Sequence, residues 1–502
     1  MGHHFVPVDR STPFLLPPSL QEWLPQEHLA RFVVEVVEQL DLSPLESSYA
    51  GRGSKAYHPG MLLAMLFYGY ATGVFSSRKL EAASYDSIAF RYICANEHPD
   101  HDTIATFRRR FMPQLAPLFT AILVLAGEMG FLKLGTVSLD GTKVKANASK
   151  HKALSWGHAV KLEERLRQEV DELLALAETA DREDNQLDIP AELSRREERL
   201  AAIAEAKLRI EARAKERHEA EQEAYEAKVA LRRSKEKATG KKARGKEPKP
   251  PEAGPQDKDQ VNLTDEESRI MPVSGGGFEQ AYNAQAAVDI ETHLVVAQFV
   301  TQAPNDKNQV EPALDILTAL PEELEKVEAM LADNGFLSEA NVEAAEKMGI
   351  EPLMALGREA HHQTLAERMY EPEPPGPDAS ALERMRYRLK TAEGRSLYGK
   401  RKSTVEPVFG QIKQMMGFRQ FMVRGLERVS GEWTLVTMAY NIRRLFQLKN
   451  GRTKALFGLP GGSGPDIVVV LHRWSVMIDE KLHQLFHYSL LNHISRLSPT
   501  NS

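Results

Sequence analysis

From residue 17 to about residue 129, apolar residues recur at helical spacing. In "SLQEWLPQEHLARFVVEVVEQL" the residues Leu29, Phe32, Val33, Val36 and Val37 fall on one stripe, which predicts an amphipathic helix. "HPGMLLAMLFYGYATGVFSSRKLEAAS" predicts a strongly apolar helix, a glycine-containing turn and a second, more polar helix. "HPDHDTIATFRRRF" opens a further helix with Asp102 as its expected N-cap. At Leu132 the period changes. "LKLGTVSLDGTKVKANAS" alternates around Leu134, Val137 and Leu139 and reaches Asp140-Gly141, a strand expected to run into a turn.

From about residue 155 to residue 233 the chain is rich in Ala, Glu, Lys, Leu and Arg. Apolar positions such as Leu162, Leu166, Val170 and Leu173, then Leu193, Leu200, Ile203 and Ile210, predict two long helices. They divide near Pro190 and should fold back on each other as an antiparallel hairpin. "KEKATGKKARGKEPKPPEAGPQDKDQ" holds few apolar residues and is expected to be disordered.

Strand patterning then resumes, with runs at 281–289 and 294–301 divided by "IETH", a hairpin signal. A helix over 307–320, a buried strand "KVEAMLADNGF" ending at Asp333, a helix over 338–348 and a short strand "IEPLMAL" follow. Neighbouring strands that give way to alternating strands and helices predict an α/β protein with a mixed sheet flanked by helices. The long hairpin is then an insertion into the sheet domain. The expected divisions are a helical region over 1–130, a sheet domain over 131–154 and 265–450, an inserted hairpin with a basic, proline-rich linker over 155–264, and a linker and helical tail over 451–502. Trp433 and Tyr440 fall on one helix face and are expected in a core.

Composition narrows the class. The 502-residue chain is 42% hydrophobic, with no run near the roughly 20 apolar residues of a membrane span. Its one cysteine, Cys94, can form no internal disulfide, which suits a reducing cytoplasm. The net charge of -6 argues weakly against a nucleic-acid coat protein, but the charge is unevenly spread. Between Arg384 and Arg428 stand twelve basic residues and three acids. Such a segment reads either as a surface for a polyanion or as a solvated helix face. Arg108, Arg109 and Arg110 suit DNA binding of the helix-turn-helix kind, and equally any small helical bundle.

Three acids invite chemistry. Asp140 and Asp333 each follow an apolar strand and precede a turn signal, "DGT" and "DNG"; either could simply be a turn former. Glu406 stands among bases and directly before Pro407, so its helix should begin at Ser403 or Thr404, with Glu406 in the first turn and Lys413 on the same face. A carboxylate there could serve the helix dipole alone. The three could instead converge on hard divalent cations, two of which would stabilise both the attacking and the departing oxygen of a phosphoryl displacement.

"LDGTKVKANASKHKA", "YNAQAAVD", "ADNGF" and "YGKRKSTVEPVFGQIKQMMGFRQFMVRGLERVSGEWTLVTMAYNIRRL" resemble the catalytic segments of DDE-type bacterial insertion-sequence transposases. "HPGMLLAMLFYGYATGVFSSRKLE" and "PDHDTIATFRRRF" resemble the helical region that precedes them, so the likeness runs from about residue 55 to residue 448. It implies a ribonuclease-H-like catalytic domain, Asp140, Asp333 and Glu406 as catalytic, metal-holding acids, and two Mg²⁺ ions for which Mn²⁺ can substitute. It also implies Tyr398, Arg401 or Lys402, and Lys413 as the tyrosine, basic and lysine members of the signature around the glutamate. The interval from Tyr398 to Glu406 is one residue longer than the commonest spacing if Arg401 is the basic member. With these, Arg419, Arg424, Arg108, Arg109 and Arg110 are the candidate DNA contacts. The implied activity is binding of the element's terminal inverted repeats, strand cleavage and transfer into target DNA, by a homodimer or higher assembly on nucleoid DNA in the cytoplasm, with no membrane. The alternatives are a ribonuclease-H-like nuclease that cuts without joining, and a non-catalytic DNA-binding coiled-coil protein.

Overall fold

The computed structural model describes residues 19–49, 56–149, 152–180, 189–240, 242, 245–273, 276–357 and 372–457. The expected tail over 451–502 lies outside these beyond residue 457. The helical region holds α1 (Leu29–Glu38), α2 (Pro59–Thr72), α3 (Ser77–Asp86), α4 (His101–Phe111) and α5 (Leu115–Glu128). α2 is buried almost all round, as a helix without a polar face must be. Pro59 opens it, where a missing N–H costs nothing, and Gly73 closes it at φ 86, a left-handed turn that a side chain would strain. The cap of α4 is Asp100, which accepts from the Thr103 amide at 2.8 Å. Asp102, the expected cap, lies in the first turn instead.

β1 (Thr136–Lys145) does not turn at Asp140-Gly141; it runs straight through. Gly141 is required for another reason, since a Cβ there would sit 2.2 Å from Gln285 Nε2 and 2.6 Å from Asp306 Oδ1. The close approach of those side chains, not a bend, selects glycine. The insertion follows: β2 (Ala153–Ser155), α6 (Trp156–Ala180), α7 (Ile189–Thr239) and β3 (Gln260–Asn262). β2 and β3 pair antiparallel at its base, a small sheet too short to leave a periodic signal. Leu154, Ala159, Leu166, Ile203, Ala206, Ile210 and Val261 form a core separate from the main one. The stretch expected to be disordered is structured in part. α7 continues to Thr239, and Arg232 and Arg217 bond the carbonyls of Gly245, Lys246 and Gly254, so the extended segment runs back along the helix.

The chain returns through β4 (Arg269–Pro272), β5 (Phe278–Asp289), β6 (Val295–Thr301), α8 (Val310–Thr318), β7 (Ala329–Ala332), α9 (Glu339–Lys347) and β8 (Glu351–Met354). In the sheet, β5 pairs β4, β6 and β1, β1 pairs β7, and β7 pairs β8. The β5 pairings are antiparallel, while β1, β7 and β8 run parallel. This is the mixed sheet with flanking helices that the sequence predicts, ribonuclease-H-like in class.

α10 (Ala381–Lys390), α11 (Ala392–Gly399), α12 (Arg401–Gly410) and α13 (Leu426–Phe457) complete the described chain. α12 begins at Arg401, not at Ser403 or Thr404, so Glu406 stands past the first turn and Pro407 lies inside the helix. The turn at Gln411–Met415 is π-helical. Val405, Val408 and Phe409 bury the inner face of α12 against β1 and β5, which leaves Glu406 on the outer face. Trp433 and Tyr440 are fully buried, and the Trp433 indole donates to the Gln285 carbonyl at 3.0 Å.

Candidate active site

Strand register brings the two aspartates together. Ser138 of β1 stands beside Leu331 of parallel β7. Two residues further along each strand are Asp140 and Asp333, and adjacent strands lie only about 4.8 Å apart. Asp333 follows the end of β7 and accepts from the Gly335 amide at 2.7 Å, which fixes its carboxylate at the strand tip. Asp140 accepts from the Gly141 amide at 2.7 Å.

The third acid arrives from α12. Arg401, 9% exposed, places one guanidinium nitrogen 3.6 Å from Asp140 Oδ2 and the other 3.7 Å from Glu406 Oε1. The guanidinium therefore sits between two acids far apart in sequence. Both contacts are longer than the roughly 2.8 Å of a charge-assisted hydrogen bond. Arg401 Nε and Nη1 are buried without a hydrogen-bond partner, so much of the guanidinium's donor capacity is unused, although its side chain also meets the Tyr398 hydroxyl.

Burial pushes the Asp140 carboxyl up to about 6, and the negative charges of Asp333 and Asp306 push the same way. The Gly141 amide and Arg401 oppose them. An acid held this high is one whose charge lacks sufficient compensation.

Asp306 went unseen in the sequence. Its Oδ1 accepts from Asn283 Nδ2 and Gln285 Nε2, each at 2.6 Å, and lies 3.6 Å from Lys143 Nζ. Lys143 is held below the usual lysine range by burial, against the pull of Asp306, Asp140 and Asp333. The available signal was two amides, Asn283 and Gln285, spaced by two in a run over 281–288 otherwise made of Ala, Tyr and Val; both are fully buried.

The expected DNA contacts divide. Lys402, Arg419 and Arg424 are exposed. Arg419 and Arg424 each brace a carbonyl, of Lys413 and Asn147 respectively. Arg401 is buried between acids. Lys413 reaches back to β1 and donates to Thr142 Oγ1 at 2.5 Å and to the Lys143 carbonyl at 2.9 Å. Tyr398 donates to the Ala332 carbonyl, next to Asp333, at 3.3 Å.

In α4, Arg109 is exposed and Arg110 lies over the Tyr49 ring. Arg108 turns inward, bonding the Phe75 carbonyl and the Tyr70 hydroxyl. Tyr70 in turn donates to the fully buried Glu432 at 2.6 Å, and Glu432 accepts from the Met422 amide at 2.8 Å. This network ties the helical region to the loop whose Phe421 pairs with Lys145 of β1.

Residues 253–442 match the family described as transposase DDE domain, and residues 18–110 match the transposase domain (DUF772). The chain belongs to the DDE-type transposases. The DDE match begins at residue 253, within the last part of the insertion, so it covers Asp333 and Glu406 and leaves Asp140 outside. Comparison with curated proteins and with solved structures gives no match. A transposase acts on DNA, and DDE transposases use divalent metal ions. No single helix among the described residues of this transposase is long and apolar enough to cross a membrane.

The donor set suits such an ion in kind: carboxylate oxygens, one of them poorly compensated, with a guanidinium between two of them. Among the described residues no three His, Cys, Asp or Glu side chains close on a single point. Arg401 occupies the space between Asp140 and Glu406.

Proposed function

We propose that this transposase binds the terminal inverted repeats of its own insertion sequence, hydrolyses a strand at the element end and joins the freed 3′-hydroxyl to target DNA. The observation that carries this reading is the Arg401 bridge from Asp140 to Glu406, with the charge of Asp333 felt at Asp140. Asp140, Asp333 and Glu406 would hold two Mg²⁺ ions, which supply electrophilic stabilisation of the attacking and leaving oxygens.

The chain's own residues do the rest. The β1–β7 register sets the two aspartates side by side, and Gly335 fixes one of them. Lys413 clamps β1 just beyond Asp140, through the Thr142 hydroxyl and the Lys143 carbonyl, so the lysine positions an acid rather than touching the substrate. Lys402, Arg419 and Arg424 offer exposed positive charge to the phosphodiester backbone beside the site. Arg109 offers another from α4. Arg401 offsets only part of the acids' charge in their present arrangement and becomes available to a phosphate once they are otherwise compensated. The protein works as a homodimer or higher assembly on DNA in the bacterial cytoplasm.

The test is cleavage and strand transfer on duplexes bearing the element's own ends, with Mg²⁺ and with Mn²⁺. Asp140→Asn, Asp333→Asn and Glu406→Gln should each lower cleavage on the order of 10³-fold or more while DNA binding persists. Residual cutting near the parental rate in any of the three would remove that acid from the mechanism. Cut ends that never join would reduce the activity to that of a nuclease.

A further inference from the structure

We propose that the far end of α7, with the segment that runs back along it, is a second binding surface for DNA phosphates, separate from the carboxylate site. It takes the DNA-cutting assignment above as its basis and adds where else the duplex is held. Charge is unevenly spread along this part of the sequence. Positions 178–192 hold six acids and one base. Between Arg232 and Lys249, at the other end, the described residues hold seven bases against Glu236 and Glu247.

Geometry separates this basic end from the rest of the molecule. α6 is 25 residues long and α7 is 51, so α7 runs far past its partner. The inter-helix ion pairs, Arg196 with Glu169 and Lys207 with Glu163, lie in its first half. At Arg217 the helix is anchored to Asp259 at 2.7 Å. From there to Thr239 it continues about 33 Å at 1.5 Å per residue, close to one turn of duplex DNA. No described side chain over 215–238 or 245–258 is buried.

A helix polar all round gains nothing from a core, and this stretch is supported instead by its own chain. Arg232 and Arg217 hold the returning segment, whose Pro248, Pro250, Pro251 and Pro255 favour a stiff extended form. The bases of the helix and of the returning segment thus stand side by side. A helix C-terminus attracts positive charge, but its dipole amounts to only about half a unit charge, far less than seven bases supply.

The experiment uses the full chain and a labelled duplex several helical turns long that contains the element end and its flank. Affinity is measured by anisotropy between about 50 and 200 mM salt, the range over which phosphate contacts are read as a slope of about -0.9 per contact. Arg233→Glu, Lys237→Glu, Lys242→Glu and Lys246→Glu combined should make that slope shallower by about 3 to 4. The four glutamine changes, which remove charge without adding repulsion, should give the same direction, with helix content by circular dichroism as the folding check.

A slope unchanged in the glutamine variant overturns the proposal. So does a variant that loses self-association with the DNA slope intact, since the basic end would then serve the acidic end of a second copy. Loss of binding to anionic phospholipid vesicles with the DNA slope intact overturns it equally. A chain that binds DNA with the expected slope but never cuts removes the catalytic reading and leaves this one; a chain that cuts while the variant slope is unchanged does the reverse.

Discussion

Ion pairs in the hairpin and ion pairs at the carboxylate site are built on opposite terms. Lys207 meets Glu163 at 2.7 Å and Arg196 meets Glu169 at 3.0 Å, short contacts that bond helix to helix in partly exposed positions. Pairs of this kind add little net stability, because solvent screens them and ordering two long side chains offsets the attraction. Arg401 stands at 3.6 and 3.7 Å from its acids, is almost fully buried, and keeps two nitrogens without hydrogen-bond partners. The hairpin's charges are arranged for its own structure. Those at the site are held in an arrangement that leaves the acids under-compensated, which costs stability and equips them for a cation. The two regions also have separate apolar cores, so each can be perturbed alone.

The largest expected effect tests that separateness. Ile210→Ala removes a side chain that is 1% exposed from the small core and should cost about 2 to 5 kcal/mol locally. Limited proteolysis should then nick α6 and α7 while the thermal transition of the sheet stays near its parental temperature. A single cooperative loss of both would erase the distinction.

Next in size is the strain held at Asp140. Its carboxyl is raised in the folded chain to about 6, well above the ordinary aspartate value of about 3.9. A raised acid contributes stability that is fully present below the unfolded value and is lost as pH climbs through the folded one. That rise corresponds to about 3 kcal/mol as an upper figure. Urea denaturation should therefore show the parental protein losing stability between about pH 4 and pH 6. Asp140→Asn, which cannot ionise, should lack that loss and be the more stable protein at pH 8. An asparagine variant weaker at pH 8 would mean that Arg401 already compensates the acid.

The smallest effect concerns Gly141. Alanine there would press on Gln285 and Asp306, and overpacking of this kind costs about 1 to 3 kcal/mol. The loss should shrink when Gln285→Ala is added, because the nearest crowding side chain is then removed. An undiminished penalty would return Gly141 to a backbone role. Ion pairs such as Arg196 with Glu169 should show no coupling of comparable size in the same kind of cycle.

Much of this architecture is local in origin and could be read from the chain. Periods of 3.6 and 2 follow from where side chains point along a helix and a strand, so the helices, the β5–β6 hairpin and the long inserted pair were legible before any contact was known. Asp140, Asp333 and Glu406 stood out by residue type at strand ends and in a basic helix. What the pattern could not carry was partnership. Lys413 lies 271 positions from Thr142, and Tyr70 lies 362 from Glu432, yet each pair is in hydrogen-bond contact. Arg108 and Arg401 read as DNA contacts because an arginine's charge is visible in sequence and its burial is not. Asp306 was silent because its importance comes from Asn283, Gln285, Lys143 and Gly141 crowding around it. Sequence alone determined which elements form and which side chains are capable of the chemistry. Tertiary structure decided which charges face one another, because strand register and helix packing, set by the burial of apolar faces across long loops, fix distances that no local pattern contains.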